Sequence, residues 1–558
     1  MPSSPTSYPA AFNLIHRPWL PVRRRSGAIE RISPWQITAG LEDDPFLSFA
    51  WPRPDFNGAA HEFMIGLLTT AAFPEDNAAW RDWWLAPPSP EELKHRFSQV
   101  AHAFDLDGPG HRFLQDLDAL EGADSKSATT LLIDAPGAQT LRNNADLFVK
   151  RSGAATLSRA AAAMALFTLS CYAPSGGAGH RTSLRGGGPM TTLIVTSHPK
   201  LGDTLWGRLW PNVETRGQIA NRAISSLDSA PIFPWLIATR TSNSKRGGRS
   251  TTPADVHPLQ VYWGMPRRIR LEFQYVGSQH CELTDADDQV VVASYRTKNY
   301  GTNYSEGFEH PLTPHYRQKP DSPKLPVHPN PGGISYRLWP GLLVETDGKQ
   351  RDPAPVVRAW PDRAHHAPDA RFAVFGYDMD NMKARAWVEK EIPLWRFDDP
   401  DIREWCTHFV NLGIAGANTV ARLLTGAVKG ALHERPKEAP GDYSFIAERF
   451  YRSTEGAFQS ALDVALALAK ENPDADDPTA EARERWVPVM ASAALRLFDE
   501  YAPDYGLEDR NMHRHVKARF LLVSALRGQG KAGKALFEDL NIPSLVTTPQ
   551  NARPQEAA

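Results

Sequence analysis

From Tyr172 to Val195 the chain carries two glycine clusters, Gly176/Gly177/Gly179 and Gly186/Gly187/Gly188, around His180, Arg181 and Arg185. Glycine gives up side-chain packing for backbone freedom, so such clusters mark unusual dihedrals or a main chain that approaches another molecule closely. With cations beside it, the segment suits an anion or a nucleic acid. A P-loop would follow its glycines with Lys-Ser/Thr to reach the phosphates and hold magnesium. No glycine of this segment is so followed, and Gly530-Lys531 runs on into Ala532. After Gly177-Ala178-Gly179 come His180, Arg181 and Thr182, so the third glycine of a dinucleotide fingerprint is missing. No His-Glu-x-x-His occurs, and no pair among Cys171, Cys281 and Cys406 has zinc spacing. His365-His366, in a loop flanked by Pro and Asp, reads as surface, and no short motif pairs carboxylates for acid–base work. The residues offer binding and no catalytic constellation. A nucleotide-dependent enzyme using the glycine loop for phosphate is the rival reading, and a purely architectural scaffold subunit the third.

The rest of the chain sets the frame for that segment. At 558 residues there is length for two or more cores, and 41% hydrophobic with 23% charged residues is an ordinary globular composition. No apolar run reaches the ~20 residues that span a bilayer, and three scattered cysteines make no disulfide framework, so a cytoplasmic protein is expected. Net charge is −2, which hides local contrast. Arg23-Arg24-Arg25, Lys150-Arg151, Lys245-Arg246/Arg249 and Arg267-Arg268/Arg270 are basic clusters, whereas Asp474 to Glu484 is acidic. Such runs serve a nucleic acid only if the fold brings several of them together.

Short apolar runs between turn signals predict strands over 130–133, 191–195, 256–262, 290–293 and 371–375, and helical spacing predicts helices over 60–72, 158–169 and 215–227. Mixed without regular alternation, these favour an irregular α+β domain over a doubly wound sheet. Two long loops are expected, the Ser/Arg/Gly-rich 241–252 and the proline-dense 320–331. Beyond Asp399-Pro400 four long amphipathic runs, broken near Pro436, Pro473 and Pro503, predict an antiparallel four-helix bundle. Residues 1–10 read as a disordered leader, 11–397 as the α+β domain, 398–543 as the bundle and 544–558 as a flexible tail.

Particular residues then carry a resemblance. Phe12-Asn13-Leu14-Ile15 with Arg17-Pro18-Trp19-Leu20-Pro21-Val22, the run Leu184 to Thr192, Phe375-Gly376-Tyr377 and Glu448 to Arg452 resemble the CasA family. This is the large subunit of the type I-E CRISPR Cascade surveillance complex, and the likeness spans nearly the whole chain. It implies an irregular α+β domain before a four-helix bundle. It also implies a non-catalytic subunit without cofactors that recognises the protospacer-adjacent motif in duplex DNA, starts strand separation for guide-RNA pairing and helps recruit a helicase–nuclease. The implied partners are the other Cascade subunits, guide RNA, double-stranded target DNA and that nuclease.

Residue by residue, the resemblance places a motif-reading glycine loop at Ser175, Gly176, Gly177, Ala178 and Gly179, whose backbone would approach the minor groove. A lysine finger falls on Lys298, with Arg296 in reserve. A strand-separating wedge falls on Asp380, Asn381, Met382 and Lys383; the competing local reading there is a helix start capped by Asp380. A loop docking onto guide RNA and a neighbouring subunit falls on Phe148, Val149, Lys150 and Arg151. Some relatives hold zinc with two cysteine pairs, which would lie near Ser158 and Ala161 and near Cys281; neither pair is present, so no metal is expected.

Overall fold

The computed structural model describes residues 11–144, 156–177, 179–222, 231–281, 283–284, 286–305, 307–330, 332–343, 351–367, 369–380, 383–394, 399–504 and 509–543. The chain forms two compact units, Met1–Asn330 with Gln350–Arg396, and Pro331–Lys349 with Phe397–Ala558. The first holds the sheets and the second the long helices, an α+β architecture.

The first unit opens with a small antiparallel sheet of β1 (Leu20–Arg24), β2 (Ile29–Ile32) and β3 (Phe46–Phe49), in the order β2-β1-β3. Two buried helices follow, α1 (Pro54–Ala71) and α2 (Arg159–Tyr172), which pack against each other. Both are buried on nearly every face, α2 with an almost wholly apolar sequence and α1 with Asp55 and Glu62 among its buried residues. Phe63 of α1 touches the rings of Trp19, Phe167 and Trp263 at centroid distances of 5.3, 5.4 and 5.8 Å. Those edge-to-face pairs form the aromatic centre of the unit.

Two strand systems complete this unit. Strand β4 (Thr191–Val195) is buried along its whole length, and long strands β5 (Arg268–Cys281) and β6 (Ala286–Lys298) pair antiparallel. Strands β7 (Arg371–Asp380) and β8 (Lys383–Pro393) form a hairpin whose first half adds to β4. The expected strands over 191–195, 290–293 and 371–375 lie within β4, β6 and β7. Those over 130–133 and 256–262 do not form: short 3₁₀ turns occupy Ala128–Leu131 and Pro258–Tyr262. Pro258 cannot donate to a strand ladder, and His257 caps the turn by accepting the Leu259 N–H at 3.1 Å. The expected helix over 215–227 is described over Arg216–Asn221, with Thr215 and Gln218 forming its capping box.

The second unit contains α3 (Pro400–Leu432), α4 (Ser444–Glu471), α5 (Ala480–Tyr501), α6 (Asp509–Leu526) and α7 (Gly530–Asp539). Helix α3 touches each of the other four. The fourth amphipathic run is two helices, because Gly528 and Gly530 take left-handed dihedrals that end one and begin the next. Within α6 the buried residues are His515, Ala518, Leu522, Ala525 and Leu526, while Val516, Phe520 and Leu521, apolar residues of the same run, are more than half exposed. Residues 332–343 also belong to this unit, although the sequence reading assigns them to the 11–397 domain. The reason is aromatic. Tyr336 stacks on Phe458 of α4 at 4.4 Å and its hydroxyl meets Thr454 Oγ1 at 2.9 Å, while Trp339 lies 5.5 Å from the same Phe458 ring.

Candidate nucleic-acid interface

Residues Arg371–Phe375 of β7 pair with β4, but Gly376–Asp380 run on beyond that partner, paired only with β8. The hairpin therefore projects past the end of its sheet. Its root is fixed by buried contacts: the Tyr377 hydroxyl donates to Asp55 Oδ2 at 2.7 Å, and the Tyr377 ring lies 5.1 Å from Trp387. Burial next to Asp55 raises the Tyr377 pKa far above the usual phenol value, so the hydroxyl stays a donor. Near the end, Arg385 pairs with Asp378 at 2.7 Å, and Asp380 lies opposite Lys383. Asp380 and Lys383 thus sit in strands, which overturns the helix-start alternative. Asn381 and Met382, between them, lie outside the described residues.

The second glycine cluster packs on this hairpin. A Cβ on Gly188 would meet Met379 Cγ and the Tyr377 carbonyl, each at 2.7 Å, and its φ of +65° already favours glycine. Gly188 N–H is held by the Tyr172 carbonyl at 2.8 Å. The first glycine cluster meets a different element. Gly176 and Gly177 close a tight turn onto His180, with backbone bonds of 3.0 and 2.8 Å. Gly179 accepts the Tyr300 N–H at 2.9 Å, and a Cβ there would lie 2.7 Å from the same nitrogen. Ala178 lies outside the described residues. Segment 174–190 thus touches two elements that carry other site residues: the hairpin at one end and the chain just past β6 at the other.

Lys298 is the last residue of β6 and faces the same side as Arg296, two positions earlier. Both are part-exposed and both have partners. Lys298 Nζ lies 3.7 Å from Asp118, and Arg296 Nε 2.9 Å from Glu272. The Asp118 carboxyl is held below its usual range chiefly by the Leu120 N–H, with Lys298 and Arg268 adding to it. Arg296, equally exposed, belongs to a tighter network with Ser294 and Ser125 around Glu272. Of the two cations Lys298 is the easier to release, since a loose pair exposed to water contributes little. Tyr300, two residues on, is 41% exposed and has a φ of +62°, rare for an aromatic residue. The sequence carried no signal for Tyr300, and none for Glu62 or Asp55, because each acts through a partner distant in the chain.

The cations around the glycines are largely engaged inside the protein. Arg185 is buried against Glu62 at 2.5 Å and also donates to Thr191 and Thr313 at 2.9 and 3.0 Å. His180 is pushed down to about 4 by burial, with Lys126 and Arg267 adding to it, so it is neutral near pH 7. Arg181 donates to Ser242 at 2.9 Å, and Arg267 ties down the Pro174 carbonyl at 2.5 Å. The basic core that the sequence offered to a nucleotide phosphate instead holds the loop in shape. Phe148, Val149, Lys150 and Arg151 lie outside the described residues. Where the resemblance would put cysteine pairs, the Ser158 N–H donates to Cys281 Sγ at 3.3 Å and Ser158 Oγ meets Thr284 at 3.2 Å.

Comparison with known proteins supplies the class. Residues 13–497 match the family model of CRISPR-associated protein Cse1, and the chain belongs to that family. Its fold is similar to CasA of Thermus thermophilus (TM-score 0.65, 16% identity, covering 92% of this chain and 99% of that one). It is also similar to Cse1 of Thermobifida fusca (TM-score 0.64, 19% identity, 94% and 98% covered). A chain of a CRISPR RNA-guided surveillance complex matches with a TM-score of 0.63 at 16% identity, covering 92% of this chain and 100% of that one. Among the described residues no helix is long and apolar enough to cross a membrane.

Proposed function

We propose that this chain is the motif-reading subunit of an RNA-guided Cascade complex. It would recognise a protospacer-adjacent motif in duplex DNA, open the first base pairs for guide-RNA pairing and help recruit a helicase–nuclease. Its partners would be the other Cascade subunits and guide RNA, in keeping with the surveillance complex to which its fold is similar. We read the four long helices of the second unit as the antiparallel bundle, with α7 as an appendage, and we assign no catalytic role to any residue.

One observation carries this reading: a single glycine-rich segment braces both the end of the lysine-bearing strand, through Gly179 and Tyr300, and the projecting hairpin, through Gly188 and Met379. A backbone reader, a cation and a wedge on one support can act on adjacent base pairs. The minor groove, about 6 Å wide, presents a degenerate pattern that suits a main-chain reader tolerant of several motifs. An apolar wedge parts a base step at a cost of roughly a few kcal/mol, which guide pairing can offset. Residues 148–151 would contact guide RNA and a neighbouring subunit.

The assembled complex tests this. Asn381→Ala with Met382→Ala should cut R-loop yield, read by permanganate reactivity of unpaired thymines, by about tenfold, while duplex capture changes little. Lys298→Glu should weaken capture of motif-bearing duplex, most at low salt. Parent-like R-loop yield and parent-like capture in these variants would remove the wedge and the finger respectively.

A further inference from the structure

Loop 241–252 is the Ser/Arg/Gly-rich stretch that carries Lys245, Arg246 and Arg249, and nothing above gives it a role. It is anchored at both ends to the chain that follows Lys298. At one end the Ser242 N–H bonds the Tyr300 carbonyl at 3.2 Å, Ser242 Oγ donates to Gly301 at 2.8 Å, and Arg181 of the glycine segment donates to that same Oγ. At the other end the Thr251 N–H meets Asn303 at 2.8 Å, Asn303 Nδ2 meets Ser250 at 2.8 Å, and the Ser305 N–H meets Thr251 at 2.9 Å.

Between the anchors the loop has a defined shape. A short 3₁₀ turn covers Ser244–Arg246, with Asn243 accepting the Lys245 N–H, and left-handed Gly247 ends it. The Gly248 N–H returns to Asn243 at 2.8 Å, and a Cβ on Gly248 would collide with backbone at 2.4 Å. This turn presents Lys245 and Arg246 to solvent, and neither has an ionic partner among the described residues. Arg249 is 74% exposed and reaches Asp255 only at 4.0 Å. Such an arrangement contrasts with the neighbouring Arg181, Arg185 and Arg267, all engaged internally.

We propose that this loop grips the phosphate backbone of the duplex whose motif the glycine loop reads. The inference rests on the reading of Proposed function, and it adds a site with a different task. Lys245 is three residues from Ser242, so its Cα lies within about 11 Å of the Tyr300 contact. Phosphates line both rims of a groove about 6 Å wide, so a cation at that offset from a groove reader meets backbone rather than bases. Contacts of this kind position the protein and raise affinity without sequence preference.

The test uses the complex assembled with guide RNA, labelled duplexes with and without the motif, and a series of salt concentrations. Lys245→Ala with Arg246→Ala should lower affinity for both duplexes by the same factor, about tenfold at low salt. The slope of log K against log salt should shrink by about 1.8, or about 0.9 per lost phosphate contact. Because both side chains are exposed, the thermal midpoint should match the parent. Parent-like affinity and slope would overturn the proposal, as would loss of guide RNA from the complex with unchanged duplex binding, which would make the loop an RNA contact. Lys298→Glu in the same assay separates the two readings. If it weakens binding while the double variant does not, only the loop assignment fails. If the double variant flattens the slope but Lys298→Glu and the wedge pair behave as the parent, the loop stands and the motif-reading assignment fails.

Discussion

Gly177 and Gly179 are both left-handed, at φ of +70° and +86°, but they differ in what a side chain would meet. At Gly177 a Cβ points into open space, whereas at Gly179 it strikes the Tyr300 nitrogen. A left-handed L-residue costs about 1–2 kcal/mol, so Gly177→Ala should lose that much in urea denaturation. Gly179→Ala should lose more, and should also weaken duplex capture by displacing Tyr300. An equal loss at both positions would mean the Gly179 contact carries no energy. Histidines matter at this scale too. His61 and His315 are both held at about 4 by burial, with cations adding to it (Arg208 at His61, Lys324 and Arg358 at His315). The unfolded chain takes up those protons near pH 6.5 and the folded one near 4. Stability is therefore full above pH 6.5 and declines as pH falls through the window to 4, by at most about 3 kcal/mol per histidine. Thermal midpoints measured from pH 7 to 4 should drop accordingly, and His61→Asn with His315→Asn should flatten the curve.

Among the elements, the glycine segment depends on a pair buried beneath it. Arg185→Met would leave Glu62 charged and unpaired against Tyr172 and Thr191, a change that typically costs about 3–5 kcal/mol. A loss under about 1 kcal/mol in chemical denaturation would show that Glu62 finds water or a proton instead. The sequence made some of these elements legible and hid others. Strands β4 and β7 announce themselves because continuous apolar runs are what a strand buried on both faces requires. The 256–262 run also carries strand-forming Val, Leu and Tyr, yet one proline and one histidine cap turn it into a 3₁₀ helix. The glycine clusters were visible as a chemical oddity, but Arg185 looked like a ligand for phosphate because its partner Glu62 lies 123 residues away. Asp380 shows the same limit: an acidic residue before Ala384–Lys390 suits a helix cap, and only pairing with β8 makes it a strand end.

For the molecule as a whole, chain order and unit membership do not coincide. Residues 332–343 insert Tyr336 and Trp339 among the helices and then return the chain to the first unit. Tyr336→Ala should destabilise the helical unit by about 3–5 kcal/mol, the usual cost of emptying a buried aromatic site. A fragment beginning at Asp399 should show a similar deficit, restored by a 332–343 peptide added in trans; tryptophan fluorescence during denaturation reports both. If the fragment is as stable as the same helices within the full chain, the inserted aromatics are decoration. The β4–β7 pairing has a consequence for synthesis. Strand β4 leaves the ribosome nearly 180 residues before β7 does, a wait of roughly 9–35 s at 5–20 residues per second. Throughout that interval a strand destined to be buried along its whole length has no neighbour on its β7 side, so the nascent chain is a natural client for chaperones, and slow codons between 195 and 371 would lengthen its exposure.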